Sequence, residues 1–145
     1  MLYNLKVVKL ELIVRAIVVN NGKILLCQNL KHGYYFLPGG HIEEGESPEQ
    51  TFRREMLEEV GIAVKNIIQI AEVKNSYTEE EEQYNETIYV CLASLENYEN
   101  IKSLESHITF AWIPVAEFNS ADFKPEKAKG DILKAIEANK DFWIS

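Results

Sequence analysis

One stretch of this chain, Gly40 to Ile62 (GHIEEGESPEQTFRREMLEEVGI), constrains the fold more tightly than any other, because it carries both ends of a helix and the pattern of its faces. Ser47-Pro48-Glu49-Gln50 is a helix start. Ser47 suits the N-cap, Pro48 takes the first helical position, where a missing N–H costs nothing, and Gln50 completes a capping box. Phe52, Met56 and Val60 recur at steps of four as an apolar stripe, and Gly61 stands where a left-handed C-terminal cap is expected. The spacing predicts a helix from Pro48 to Val60.

On that helix Glu55, Glu58 and Glu59 stand at i, i+3 and i+4, within an arc of roughly 100° that adjoins the apolar stripe. Like charges so placed repel by a few tenths of a kcal/mol per pair on an open helix, and by more where water is excluded. A positive partner is expected between them. Oxygen-only donors at this density suit Mg²⁺ or Mn²⁺, and no His or Cys cluster is nearby to favour zinc. Upstream, Leu37-Pro38-Gly39-Gly40 reads as a turn whose glycines let the backbone pass close to a ligand and free a carbonyl for the metal. The blander reading is a solvated acidic helix, since exposed glutamate is the ordinary case.

The register of these residues favours the metal. It resembles the signature of the Nudix hydrolases: Gly, five residues, Glu, seven residues, Arg-Glu, an apolar residue, any residue, Glu-Glu, any residue, Gly, apolar. The fixed positions are Gly40, Glu46, Arg54, Glu55, Met56, Glu58, Glu59, Gly61 and Ile62, and the leading Leu37-Pro38-Gly39 is usual in that family. The resemblance implies the α/β class, a Nudix-type α/β/α sandwich with a curved mixed β-sheet between helices. It also implies hydrolysis, dependent on Mg²⁺ or Mn²⁺, of the diphosphate linkage of a nucleoside diphosphate joined to another moiety. Carried over residue by residue, Glu55, Glu58 and Glu59 hold the metal with the Gly39 carbonyl, Glu55 helps deprotonate the water, and Arg54 and Glu46 are an orienting pair. Glu105, in Leu104-Glu105-Ser106-His107, is a further candidate ligand or base, because many family members add a glutamate from a loop on that side. Arg53 lies outside the motif and reads as a surface charge. The chemistry is consistent, since a diphosphate carries two or more negative charges and a carboxylate cluster can hold it only through bridging cations.

The remaining composition sets limits. At 145 residues and 46% hydrophobic content, the whole chain, 1–145, is expected to form a single domain. A net charge of −8 gives no sign of a surface for long nucleic acid, while a small nucleotide-type substrate stays compatible when a metal supplies the local positive charge. Cys27 and Cys91, 64 positions apart in strand-like runs, read as buried free thiols of a reducing compartment, which points to the cytoplasm. The apolar N-terminus is interrupted by Lys6, Lys9, Glu11 and Arg15, so neither a signal peptide nor a membrane span is expected. A homodimer is left open.

Outside the helix the chain reads mainly as strand: Leu10 to Val19 and Lys23 to Leu30, an antiparallel pair joined at Asn20-Asn21-Gly22, then Val64 to Val73, Thr87 to Leu95 and Ile108 to Val115. Asp122 to Lys140 is expected to form a second helix. The run Glu79 to Glu82 reads as a solvated hairpin loop, with a lid or an extra metal ligand as the functional alternative. His41 and His107 read as surface or packed side chains before they read as bases. Tyr34, Tyr35, Phe36, Tyr77 and Phe123 could stack a nucleobase, and Tyr35 is placed with Gly39 and Gly40 among the substrate contacts, although most aromatics are core. Family members that favour ADP-ribose often carry a proline well after the motif. Ile62 to Tyr77 has none, which leaves nucleoside triphosphates, dinucleoside polyphosphates and nucleotide sugars. A catalytically silent nucleotide sensor of the same family is the alternative, against which the complete motif argues. A purely structural domain whose acidic helix binds a basic partner is a third.

Overall fold

The computed structural model describes residues 7–144; residues 1–6, including the Lys6 of the N-terminal reading, and residue 145 lie outside the described residues. In chain order the strands are β1 (Val8–Ile17), β2 (Val19–Asn20), β3 (Lys23–Asn29), β4 (Tyr35–Phe36) and β5 (Gly39–His41), then β6 (Val64–Glu79), β7 (Glu82–Leu95) and β8 (Ile108–Pro114). The helices are α1 (Pro48–Val60), between β5 and β6, and α2 (Lys129–Ala138), with short 3₁₀ turns around α2. Two four-stranded sheets result. One has the order β5-β1-β7-β6, with β1 and β7 parallel and the other neighbours antiparallel. In the other, β3 pairs antiparallel with β2, β4 and β8.

The two-residue alternation of the strands sorts the core onto two faces. Val14, Ala16 and Val18, with Leu25 and with Cys91, Ala93 and Leu95, pack against Phe52 and Met56 of α1. The intervening Ile17, Ile24, Leu26 and Leu92 pack instead with Phe118, Phe123, Ile132 and Ile136, the last two from α2. Helices therefore cover opposite faces of the strands, the layering expected of an α/β/α sandwich. Phe52 is fully buried, a contribution of about 2–3 kcal/mol that fixes how α1 sits.

Four elements differ from the sequence reading, the first being that Gly39 and Gly40, read as part of a turn, are extended in β5 and pair with β1. The hairpin at Asn21-Gly22 forms, but the partner of β3 is the two-residue β2, because the chain leaves the first sheet at Val18; β1 itself pairs with β5 and β7. The second helix is shorter than Asp122 to Lys140. Phe123 is buried and bridges to Tyr35, and Pro125 has no N–H to donate, so the regular helix begins at Lys129. The loop expected around Glu79 to Glu82 shrinks to Glu80-Glu81, because polar pairs extend the β6–β7 ladder across it. Tyr77 and Tyr84 stack at 4.9 Å, Ser76 Oγ bonds Asn85 at 2.8 Å, and Asn75 bonds Glu86 at 2.9 Å. No helix among the described residues is long and apolar enough to cross a membrane.

Candidate active site

The site is built on the second half of α1, from Arg54 to Glu59, and the short strand before the helix. Both halves of the capping box are present: Gln50 N–H donates to Ser47 Oγ at 3.1 Å, and Ser47 N–H donates to Gln50 Oε1 at 2.8 Å. At the other end Gly61, at φ 70°, donates its N–H to Leu57 O at 3.0 Å. With both ends fixed and Phe52 and Met56 locked in the core, the Glu55 flank is presented to β5. There Gly40 leaves no room for a side chain, because a Cβ on it would stand 2.6 Å from the Glu55 carboxyl carbon. Gly39 is held as closely on its other side; a Cβ there would meet the Val14 carbonyl oxygen at 1.9 Å, and its φ is 152°.

Arg54 ties these parts together. Its Nε and Nη2 donate to the two Glu46 oxygens at 2.8 and 3.0 Å, and its Nη1 donates to Glu55 Oε1 and Glu58 Oε2, both at 3.1 Å. Nη2 also reaches the His41 carbonyl at 3.3 Å. Glu46 in turn accepts from Thr51 Oγ1 at 3.0 Å and from the Glu43 amide at 3.1 Å. The Arg54 guanidinium holds the Glu46 carboxyl down to about 2, and Glu46 raises Arg54 in return.

Glu59 is opposite in character. Burial, and then the hydrogen bond and charge of Glu55 with a smaller push from Glu105, raise its carboxyl to about 8, while Arg15 opposes the shift. Glu55 and Glu59 line a cavity of about 430 Å³ together with Arg15, Phe36, Gly40 and His41. Glu58 points elsewhere: its side chain is 60% exposed, against 17% for Glu55, and is engaged by Arg54. Accordingly, among the described residues no three acidic, His or Cys side chains converge as they stand on one metal position.

The structure thus brings Glu46, Arg54, Glu55 and Glu58 into direct contact and sets Glu59, Gly39 and Gly40 on the cavity wall. Glu105 is half exposed and 3.4 Å from His107, outside the cavity lining, but its loop docks on α1, where Leu104 N–H donates to Glu59 O at 2.7 Å. Tyr35 packs on the α2 side of the core, and its neighbour Phe36 lines the cavity. Arg53 is exposed, as a surface charge would be, yet its guanidinium also donates to Val64 O at 2.7 Å and ties α1 to β6. His41 and His107 both line the cavity, and His41 Nε2 lies 2.7 Å from Glu11 Oε2, while the other Glu11 oxygen, Oε1, accepts from the Tyr77 hydroxyl at 2.8 Å. Sequence reasoning missed Arg15, Thr51 and Glu11. For Arg15 a signal existed, a single cation inside the apolar run LIVRAIVV.

Comparison with known proteins bears on this arrangement. Over 55 residues, 38% of this chain and 33% of the relative, the sequence is 38% identical to an RNA pyrophosphohydrolase of Acinetobacter baylyi. Over 46 residues, 30% of this chain and 18% of the relative, it is 48% identical to a NAD-capped RNA hydrolase NudC of an Enterobacter species. The chain thus covers a third or less of the length of these curated relatives. Among solved structures, a MutT protein of Bacillus halodurans matches with TM-score 0.67 and 27% identity, over 84% of this chain and 77% of that one. A NUDIX hydrolase of Nitrosomonas europaea matches in fold with TM-score 0.66 and 21% identity, over 91% of each chain. A family model described as a NUDIX domain covers residues 9–134, the two sheets, α1 and most of α2 included, and on that match the chain belongs to the Nudix hydrolase family.

Proposed function

We propose that this chain hydrolyses the diphosphate linkage of a nucleoside diphosphate joined to another group, with Mg²⁺ or Mn²⁺ as cofactor. The observation that carries the reading is the Glu55 carboxylate seated against Gly40, where a Cβ would be 2.6 Å away, with Glu59 beside it in the same cavity. A folded core has no need to crowd two carboxylates onto a bare backbone; a centre that holds a cation between them does.

The donor set fits a hard divalent ion. Glu55, Glu58, Glu59 and the Gly39 carbonyl would hold it, all through oxygen, with Glu58 exchanging its contact to Arg54 for the ion. Bound there, the ion neutralises diphosphate charge and acidifies the attacking water. The chain's own groups do the rest. Arg54 keeps the Glu55 carboxylate in place through Oε1 at 3.1 Å, and Glu55 takes the proton as the water oxygen attacks phosphorus. The P–O anhydride bond breaks and its electron pair departs on the leaving phosphate oxygen. Arg54 with Glu46 holds the loop before α1 against the helix, so the carboxylates need no rearrangement at the moment of reaction.

Nucleoside triphosphates, dinucleoside polyphosphates and nucleotide sugars are the proposed substrates. The curated relatives named above act on RNA, but their likeness is confined to short segments, and a net charge of −8 disfavours a long polyanion here. Two buried, unpaired cysteines support a reducing, cytoplasmic setting. Purified protein tested with Mg²⁺ against a panel of these compounds should release phosphate or pyrophosphate from at least one. Tight binding of a nucleotide with no release from any member would favour the silent sensor instead.

A further inference from the structure

Arg54 and Arg15 border the same site and are satisfied to different degrees. Arg54 is met by Glu46, Glu55, Glu58 and the His41 carbonyl. Arg15, on β1 directly opposite Gly39 in the strand register, makes one hydrogen bond, from Nη1 to the Leu37 carbonyl at 3.2 Å. Its guanidinium also lies 5.5 Å from the centre of the Phe36 ring. Among the described residues no carboxylate comes within ion-pair distance of it, although Glu55 and Glu59 line the same cavity. No buried side-chain nitrogen among the described residues lacks a partner, so the remaining Arg15 donors open into the cavity and are not sealed in protein.

A cation held between an aromatic ring and a carbonyl with donors unused costs desolvation free energy that packing alone would avoid; a Met would fill the space without it. Burial accordingly lowers the Arg15 pKa. Arg15 is also the one permanent cation among the described residues that line the cavity, whose carboxyl groups, Glu43, Glu55 and Glu59, are acidic side chains. A planar fork with free N–H groups matches a phosphoryl group, two oxygens at a time.

We infer that Arg15 is a substrate-binding residue that takes nonbridging oxygens of a phosphoryl group in the cavity, beside the carboxylate centre. The inference rests on the hydrolase reading for the identity of the substrate, a diphosphate. A nucleobase is the less suitable occupant, because the Phe36 face on which it would stack is already covered by the guanidinium.

Calorimetric titration of the parent and of Arg15→Met, in Ca²⁺, with methylenediphosphonate, α,β-methylene ADP and adenosine tests this. Arg15→Met should weaken both phosphonate probes by about thirtyfold, leave adenosine unchanged, and melt within a few degrees of the parent. Arg15→Lys should recover part of the loss, as a single charge without the fork. If Arg15→Met does not fold, Arg15→Gln is expected to show the same selective loss. Equal binding of the phosphonates by parent and variant, absence of binding by both, or a loss confined to adenosine would overturn the assignment. Because the probes resist hydrolysis, the two readings separate. Arg15-dependent binding without turnover by the parent sinks the hydrolase and leaves Arg15 standing, and turnover with Arg15-independent binding does the reverse.

Discussion

Glu55, Glu58 and Glu59 on α1, and Glu79 to Glu82 at the tip of β6 and β7, are acidic groups of one residue type in different surroundings. At the hairpin tip every one of the four is exposed, and Glu82 settles its charge locally with Lys9 at 2.6 Å and the Tyr84 hydroxyl at 2.9 Å. On α1, Glu55 is pressed by a glycine strand on one side and gripped by Arg54 on the other, Arg54 also holds Glu58, and burial raises the Glu59 carboxyl to about 8. Acidic density alone is therefore uninformative. What separates the two groups is the backbone and the cation brought against them by other parts of the chain.

The sharpest break of this comparison is charge removal at both places. Glu55→Gln or Glu59→Gln should lower turnover by two decades or more, ~3 kcal/mol of transition-state stabilisation, while Glu80→Gln and Glu81→Gln stay within about twofold of the parent. Comparable losses at the hairpin would erase the distinction. Next come the glycines. Gly40→Ala meets first the movable end of Glu55, so turnover should fall by about tenfold or more with the melting temperature nearly unchanged. Gly39→Ala meets the Val14 backbone and should cost roughly 3 kcal/mol of stability, read from a denaturant titration.

The Arg54 clamp adds a pH dependence. The Glu46 carboxyl sits at about 2 in the fold against an ordinary 4.5, so its stabilising contribution is complete above pH 4.5 and disappears as pH falls towards 2. Glu46→Gln should melt lower than the parent at pH 7, and the gap should close on acidification through that window. A gap that persists at pH 2 would assign the loss to packing instead. Smaller still, His41→Asn with His107→Asn should keep turnover within about tenfold, under ~1.4 kcal/mol, if carboxylates and not imidazoles take the proton. The smallest effect belongs to the tip. Glu80 and Glu81 both hold positive φ, 50° and 66°, so Asn-Gly in their place should stabilise the fold by about 1 kcal/mol and leave turnover alone.

How much of this was legible in the sequence follows from how local each feature is. The bounds of α1 were, because Ser47, Pro48, Gln50 and Gly61 act on their own backbone. The length of the β6–β7 ladder was not, since its polar residues look like loop until Tyr77 finds Tyr84 across the turn. The contacts of Glu11 with His41 and Tyr77, 30 and 66 residues away along the chain, leave no local trace at all. Arg15 is intermediate: a charge within an apolar strand marks a site, but only the fold shows that Phe36 and the carboxylates share its cavity.

The central claim is that the α1 carboxylates form a cation-dependent hydrolytic centre, with Glu58 leaving Arg54 to complete it. A Mg²⁺ titration of phosphate or pyrophosphate release, parent beside Glu58→Gln, tests it most directly. The parent should be inactive in excess chelator and saturate with Mg²⁺, while the variant should need more Mg²⁺ and remain about a hundredfold slower at saturation. Full activity in chelator, or superimposable titration curves for the two proteins, would contradict the account.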